Sequence, residues 1–270
     1  MDAPHILWLI PAALAAGFAL LRVNMRGAGS ARALARKTYN AGAGSDLIPF
    51  IDWAEQRFGR LPLFMMGHSL GGTAMLNMAL DYPEAASRLD GLVTICAPID
   101  MATTARKFHG PRNRLYVKYM LAGMKKIIAT TPELDEHYVD AALRANDIFA
   151  FDDQVTAPLA GHVDGPSYYA ATSVHHRLPQ LTIPTLIIQS TNDPWVSAAP
   201  CLAQPTGIEL PTIVVTTGGG HVGFNDRNGS WYIRATLAWI NSQLSPPHEG
   251  RINNLRLLTR HSRQQENELQ

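Results

Sequence analysis

At 270 residues the chain is long enough for one large α/β domain or two small ones. Apolar residues make up 46% and charged residues 17%, which excludes a disordered polyelectrolyte and fits a soluble domain with a sizeable core. A net charge of +1 gives no electrostatic ground for nucleic acid or an anionic membrane as an obligatory partner.

Ile6 to Leu21 is almost continuously apolar. It is short for a membrane span, Pro11 and Gly17 interrupt it, and Asp2 rather than a basic residue precedes it. The expectation is a buried helix up to Ala16, Gly17 as its stop, and a strand over Phe18 to Asn24. Ser45-Asp46 then opens a helix with Leu47, Phe50, Ile51 and Ala54 on one face. Short apolar runs at 61–67, 92–97, 184–190 and 212–217 read as buried strands, the pattern of a parallel sheet covered on both sides. Ile233, Leu237, Ile240 and Leu244 form a stripe that marks the last helix. Strands alternating with helices predict a doubly wound, mostly parallel α/β fold.

The interval between the strands at 92–97 and 184–190 is too long for a plain loop. It reads as an insertion with helices at Leu115–Ile128 and Glu133–Phe149, bearing Tyr116, Tyr119, Tyr138, Tyr168 and Tyr169. These tyrosines either pack the insertion onto the core or roof an acyl-binding pocket. The organisation is then a core over 1–98 and 184–245, a cap over 99–183, and a tail over 246–270 without regular structure. Cys96 and Cys201 lie far apart, and Cys96 sits in an apolar run, so it reads as a buried thiol. Two unpaired cysteines fit a reducing cytoplasm.

The chemistry concentrates in Gly67-His68-Ser69-Leu70-Gly71. A strand precedes it and a helix follows, so Ser69 stands on a sharp turn with its hydroxyl projecting above the sheet. Gly67 and Gly71, with Gly72, are expected to let strand and helix approach closely. Amides at the helix start favour developing negative charge, which makes the Leu70 N–H an oxyanion donor. A serine hydroxyl needs a base, and the base needs an orienting carboxylate. Asp193 follows the strand at 184–190, and His221 follows the strand at 212–217 within Gly218-Gly219-Gly220-His221. Both then open at the same sheet edge as Ser69. Asp152, Asp153 and Asp164 lie in the insertion and are weaker candidates. His68 is expected to point away from the site. His162 and His175-His176 bring no coherent ligand set, so neither a metal nor a cofactor is expected.

These motifs resemble the α/β hydrolases, and more narrowly the YheT-like branch related to medium-chain esterase/acyltransferases and acylglycerol lipases. The match includes Asn24-Met25-Arg26-Gly27-Ala28-Gly29, Ala97-Pro98-Ile99-Asp100, Asn113-Arg114-Leu115-Tyr116, Phe151-Asp152, Thr156-Ala157-Pro158, Asn192-Asp193-Pro194 and Gly219-Gly220-His221-Val222-Gly223-Phe224. The resemblance implies a triad of Ser69, Asp193 and His221, and a structural role for Arg26. Family members also carry an earlier strand ending in a His-Gly loop, which gives the second oxyanion donor. The chain as given begins at the helix after that loop, so an N-terminally incomplete sheet is expected.

The function implied is hydrolysis of carboxylic esters with an acyl or lipid-like part, through an acyl-enzyme on Ser69. Acyl transfer to an alcohol with the same triad, and an impaired domain that only binds ligands, are the alternatives. The expected partner is a small-molecule ester, without nucleic acid or obligatory membrane insertion; the sequence does not give the oligomeric state.

Overall fold

The computed structural model describes residues 4–205, 209–244 and 255–258. Five parallel strands form the sheet among the described residues, in the order β1 (Phe64–His68), β2 (Gly91–Ile95), β3 (Thr185–Ser190), β4 (Thr212–Thr216) and, at the edge, Leu255–Leu258. The register aligns their carboxyl ends: His68 pairs with Ile95, Ile95 with Ile188, and Ser190 with Thr216. The loops after β1, β3 and β4 therefore open along one edge. β2 and β3 are buried along their whole length, as continuous apolar runs between two helical layers must be.

One face of the sheet packs against helices Ile48–Phe58 and Leu70–Asp81, with Ile51, Leu76, Met78, Leu92 and Ile187 in a shared cluster. Each such side chain, fully buried, contributes roughly 1.5–3 kcal/mol of hydrophobic stabilisation. The other face meets helices Leu9–Ala15 and Trp231–Leu244 around Val93, Ile95, Ile188, Tyr232 and Ile233. Leu237 and Ile240 join that face as the stripe predicts, but Leu244 is exposed at the end of its helix.

The front of the chain departs from expectation. The apolar run folds as helices Pro4–Leu7 and Leu9–Ala15, and Gly17 ends it with a φ of 83°. It is not a buried helix: Trp8 and Leu14 are exposed, and Ala13 is its one buried residue among those described. Phe18 to Asn24 form no strand. Phe18 packs with Phe64 and Met66 on one face of the sheet, whereas Met25 packs with Leu63 and Met65 on the other. The segment thus passes around the edge of β1 instead of pairing with it. Among the described residues, β1 pairs with β2 alone. Arg26 pairs with Asp46, in keeping with a structural role.

At the far end, Leu255–Leu258 form a short strand parallel to β4, where no regular structure is expected. The other residues of 246–270 lie outside the described residues. No helix among the described residues is long and apolar enough to cross a membrane.

Between β2 and β3 the chain forms helices Met101–Phe108, Arg114–Ala129, Glu136–Arg144 and Gly165–Thr172. The single helix expected over Glu133–Phe149 is divided, because the Asp147 carboxylate caps a new turn through the Ala150 N–H at 2.7 Å. A π-turn, Asp152–Thr156, follows. Leu121, Ile128, Ala141, Ala142, Phe151 and Val155 give these helices a small core of their own.

Candidate active site

Ser69 has φ 51° and ψ −131°, a conformation that L residues adopt only when their surroundings impose it. Its N–H donates to the Ile95 carbonyl at 2.8 Å, extending the β1–β2 ladder one residue past the strand. Leu70 then starts a helix. A Cβ on Gly67 would lie 2.6 Å from Met75 Sδ, and one on Gly72 would lie 2.9 Å from Ala97 Cβ. Gly67 and Gly72 therefore permit the close strand–helix approach. Gly71 faces open space, so its expected share in that packing is corrected. Leu70, as first helical residue, has an N–H that no intrahelical carbonyl can reach. His68 turns away and meets Tyr232 edge-on, with ring centroids 5.6 Å apart.

Asp193 and His221 come together across 28 residues of chain. His221 Nδ1 donates to Asp193 Oδ2 at 2.8 Å, leaving Nε2 as the basic ring nitrogen. Asp193 Oδ1 accepts the Trp195 N–H at 2.8 Å and the Val196 N–H at 3.0 Å. Burial alone would raise the Asp193 pKa; the hydrogen bond and charge of His221, with these two amides, outweigh it and hold the carboxyl below its ordinary range. Asn192 Oδ1 accepts the Gly220 N–H at 2.8 Å, which ties the acid loop to the histidine loop. That loop needs its glycines: Gly219 has φ 140°, and a Cβ there would lie 2.4 Å from the Phe224 ring.

Ser69, Leu70 and His221 line one cavity of about 500 Å³. Its other walls are mostly apolar, from Met120, Met124, Ile127 and Phe151 of the insertion and Pro98 and Val196 of the core. Tyr168 and Tyr169 are buried in this wall, Tyr116 stacks on Trp195, Tyr138 meets His137 edge-on, and Tyr119 is exposed. The five tyrosines thus divide between the pocket, the packing and the surface. Arg32 also lines the cavity; its guanidinium donates to Gly27 O and to Thr131 Oγ1.

Sequence reasoning missed the groups that hold the acid loop. Lys107 Nζ donates to the carbonyls of Asp193 at 2.7 Å and Val196 at 3.0 Å. Asn113 Nδ2 donates to Lys107 O and, at 3.0 Å, to Pro194 O. Asn113 stood in one of the quoted motifs, which was the signal available; Lys107 stood in none. Asp153 and Asp164 serve local structure: Asp153 accepts the Gly165 N–H, and Asp164 caps the helix that Gly165 begins.

Cys96, Asp193 and His221 bring ligand-type atoms within 4.8 Å of one another. Cys96 is buried and free, its thiol approaches Gly220 O at 3.7 Å, and burial pushes its pKa far up, so it holds its proton. With His221 Nδ1 already committed to Asp193, this set suits a hydrogen-bonded pair better than a metal. Cys201 is likewise buried and free, its pKa pushed up by burial to about 12.

A strained serine between a parallel strand and a helix, with an acid–histidine pair at the same sheet edge, defines the α/β hydrolase fold, and the chain belongs to that family, whose pattern matches residues 1–225. Its sequence similarity runs to the YheT-like branch. YheT of Escherichia coli (strain K12), named as an esterase, is 28% identical over 231 residues, covering 83% of this chain and 67% of that one. The monoacylglycerol lipase of Saccharomyces cerevisiae is 24% identical over 205 residues, covering 72% of this chain and 45% of that one. The phospholipase ABHD3 of Bos taurus is 24% identical over 257 residues, covering 91% and 61%. The chain therefore spans between about half and two thirds of the length of these relatives. Two solved structures share the fold: the Paleococcus ferrophilus monoacylglycerol lipase (TM-score 0.51, 21% identity, 87% of this chain and 88% of that one) and Est1E of Butyrivibrio proteoclasticus with ferulic acid bound (TM-score 0.57, 16% identity, 90% and 84%).

Proposed function

We propose that this chain hydrolyses carboxylic esters through an acyl-enzyme on Ser69. The observation that carries this reading is the 2.8 Å His221–Asp193 pair, opening on the same cavity as the strained Ser69. In the first half-reaction His221 Nε2 takes the Ser69 proton as Oγ attacks the acyl carbon. The Leu70 N–H faces the developing oxyanion, and Asp193 stabilises the imidazolium. The intermediate collapses as His221 returns the proton to the leaving alkoxide. Water, deprotonated by His221, then attacks the acyl-enzyme, and His221 returns that proton to Ser69 Oγ as the bond to the acyl carbon breaks and the acid leaves.

The apolar walls favour an acyl group of some length, in keeping with the acylglycerol and phospholipid esterases among the relatives. Two free, buried cysteines suit a reducing compartment, and we place the activity in the cytoplasm. A second reading has one observation in its favour. The His221 side chain is only 9% exposed beside an apolar cavity, a setting in which an alcohol can compete with water for the acyl group.

The experiment is turnover of p-nitrophenyl esters of graded chain length, with and without added alcohol. Hydrolysis that disappears in Ser69→Ala supports the reading. Activity that survives Ser69→Ala overturns it, and ester product formed with added alcohol favours the transferase.

A further inference from the structure

Asp152 supplies the one carboxyl among the residues that line the catalytic cavity. It is only 9% exposed, among Ile148, Phe151, Tyr168 and Tyr169. Neighbouring acids have structural tasks: Asp100, Asp147 and Asp164 cap helices, and Asp153 holds Gly165. Asp152 caps nothing. It begins the π-turn Asp152–Thr156, a widened backbone form that recurs at binding sites.

Its partners are few. Tyr169 donates its hydroxyl to Oδ2 at 2.8 Å, and the Thr156 hydroxyl across the turn hydrogen-bonds the same carboxyl. Among the described residues no cation forms an ion pair with it. Arg32, the guanidinium on that cavity, directs Nη1 and Nη2 to neutral oxygens. Burial raises the Asp152 pKa to about 6, with Thr156 and Tyr169 working against it. When ionised, the carboxyl offers roughly four acceptor positions. A buried carboxylate in that state is costly unless donors reach it. The position is close to the chemistry: Leu70, next to the nucleophile, packs in one cluster with Tyr168 and Tyr169.

We propose that Asp152 determines specificity by accepting a hydrogen bond from a hydroxyl or ammonium group carried by the ester, so that donor-bearing substrates are preferred over purely hydrocarbon ones. What becomes of the bound ester rests on the hydrolase reading, but the recognition itself does not. Hydroxyl and ammonium present the same chemistry to the carboxylate, and the ligands below separate them.

The test uses the Ser69→Ala protein, so that binding is read without turnover. Four ligands are compared by calorimetry at pH 7.5: propyl octanoate, hydroxyethyl octanoate, propyl ω-hydroxyoctanoate and propyl ω-aminooctanoate. The expected result is that at least one donor-bearing ester binds on the order of tenfold more tightly than propyl octanoate. Adding Asp152→Asn should erase that margin. If Asp152→Asn does not fold, Asp152→Ser, which also lacks the carboxylate, is read the same way. The absence of any margin, or a margin that survives loss of the carboxylate, overturns the proposal. Turnover of the same esters by the unaltered chain is measured separately. A binding margin without turnover leaves this inference standing and removes the hydrolase reading.

Discussion

The ring of Tyr116 lies almost parallel to the indole of Trp195, 3.9 Å away at an interplanar angle of 10°. Trp195 in turn sits 4.4 Å from the His221 imidazole. An aromatic side chain of the insertion is thereby linked, through one indole tilted at 57° to the imidazole, to the base of the proposed triad. Trp195 also gives its N–H to Asp193 Oδ1.

This stack predicts that Trp195→Ala lowers kcat by roughly tenfold or more, because a loosened imidazole leaves its productive orientation. Tyr116→Ala should do less, since a ring pair is worth about 0.5–1.5 kcal/mol beyond its buried area. Steady-state kinetics together with thermal melts separate the two effects. Wild-type kcat in Trp195→Ala would show that the stack does not position His221.

Ser69 should be the residue labelled by a fluorophosphonate probe, located by peptide mass spectrometry. Its strained backbone and its place on the cavity wall expose the hydroxyl. Asp193→Asn should cut turnover by about 10³–10⁴-fold with the fold retained, by favouring the wrong imidazole tautomer. Near-native turnover would move the acid elsewhere in the chain.

Loss of Lys107 should be felt at the triad although its ammonium touches no triad side chain. In Lys107→Met the Asp193 and Val196 carbonyls lose their shared donor, and the acid loop relaxes. The expected outcome is kcat lowered by roughly 10–100-fold with KM nearly unchanged, since small displacements of catalytic groups cost that much. A change confined to KM would place Lys107 in substrate binding instead.

Asp152 gives a pH-dependent stability. Its carboxyl titrates at about 6 in the folded chain, against an ordinary value of 3.8. A raised acid is protonated in the fold while the unfolded chain has already lost its proton, so stability declines as pH rises from about 4 to 6. The loss approaches about 3 kcal/mol by neutrality. Asp152→Asn lacks this titration, so the stability gap in favour of the variant should widen over that window. Denaturant melts at pH 4 and pH 7 measure it, and a gap independent of pH would refute the assignment.

Much of this was legible in the sequence, and the reasons differ by element. The four strands announced themselves as continuous apolar runs because both of their faces are covered. The placement of Ser69, Asp193 and His221 at one sheet edge was readable because each follows a strand. The Phe18–Asn24 segment has strand composition, but a strand exists only beside a partner, and local composition does not report one. Gly71 and Gly72 are indistinguishable as letters, and only the Ala97 Cβ decides which of them needs to be glycine. Lys107 and Asn113 act through contacts with a segment distant in the chain, where spacing carries no signal, whereas Asp152 stood in a quoted motif and meets Thr156 and Tyr169 of its own segment.

The anchoring of the acid loop has a consequence for how ligands enter. Lys107 and Asn113 belong to the segment that leads into the roof of the cavity, yet they hold the loop that carries Asp193. A hinge that swung this segment outward as one body would pull out the donors that keep Asp193 in place. For the proposed triad this amounts to an interlock: one rigid outward movement of the segment would release the acid loop, whereas side-chain motion of Met120 and Met124 in the cavity wall would leave the lock engaged.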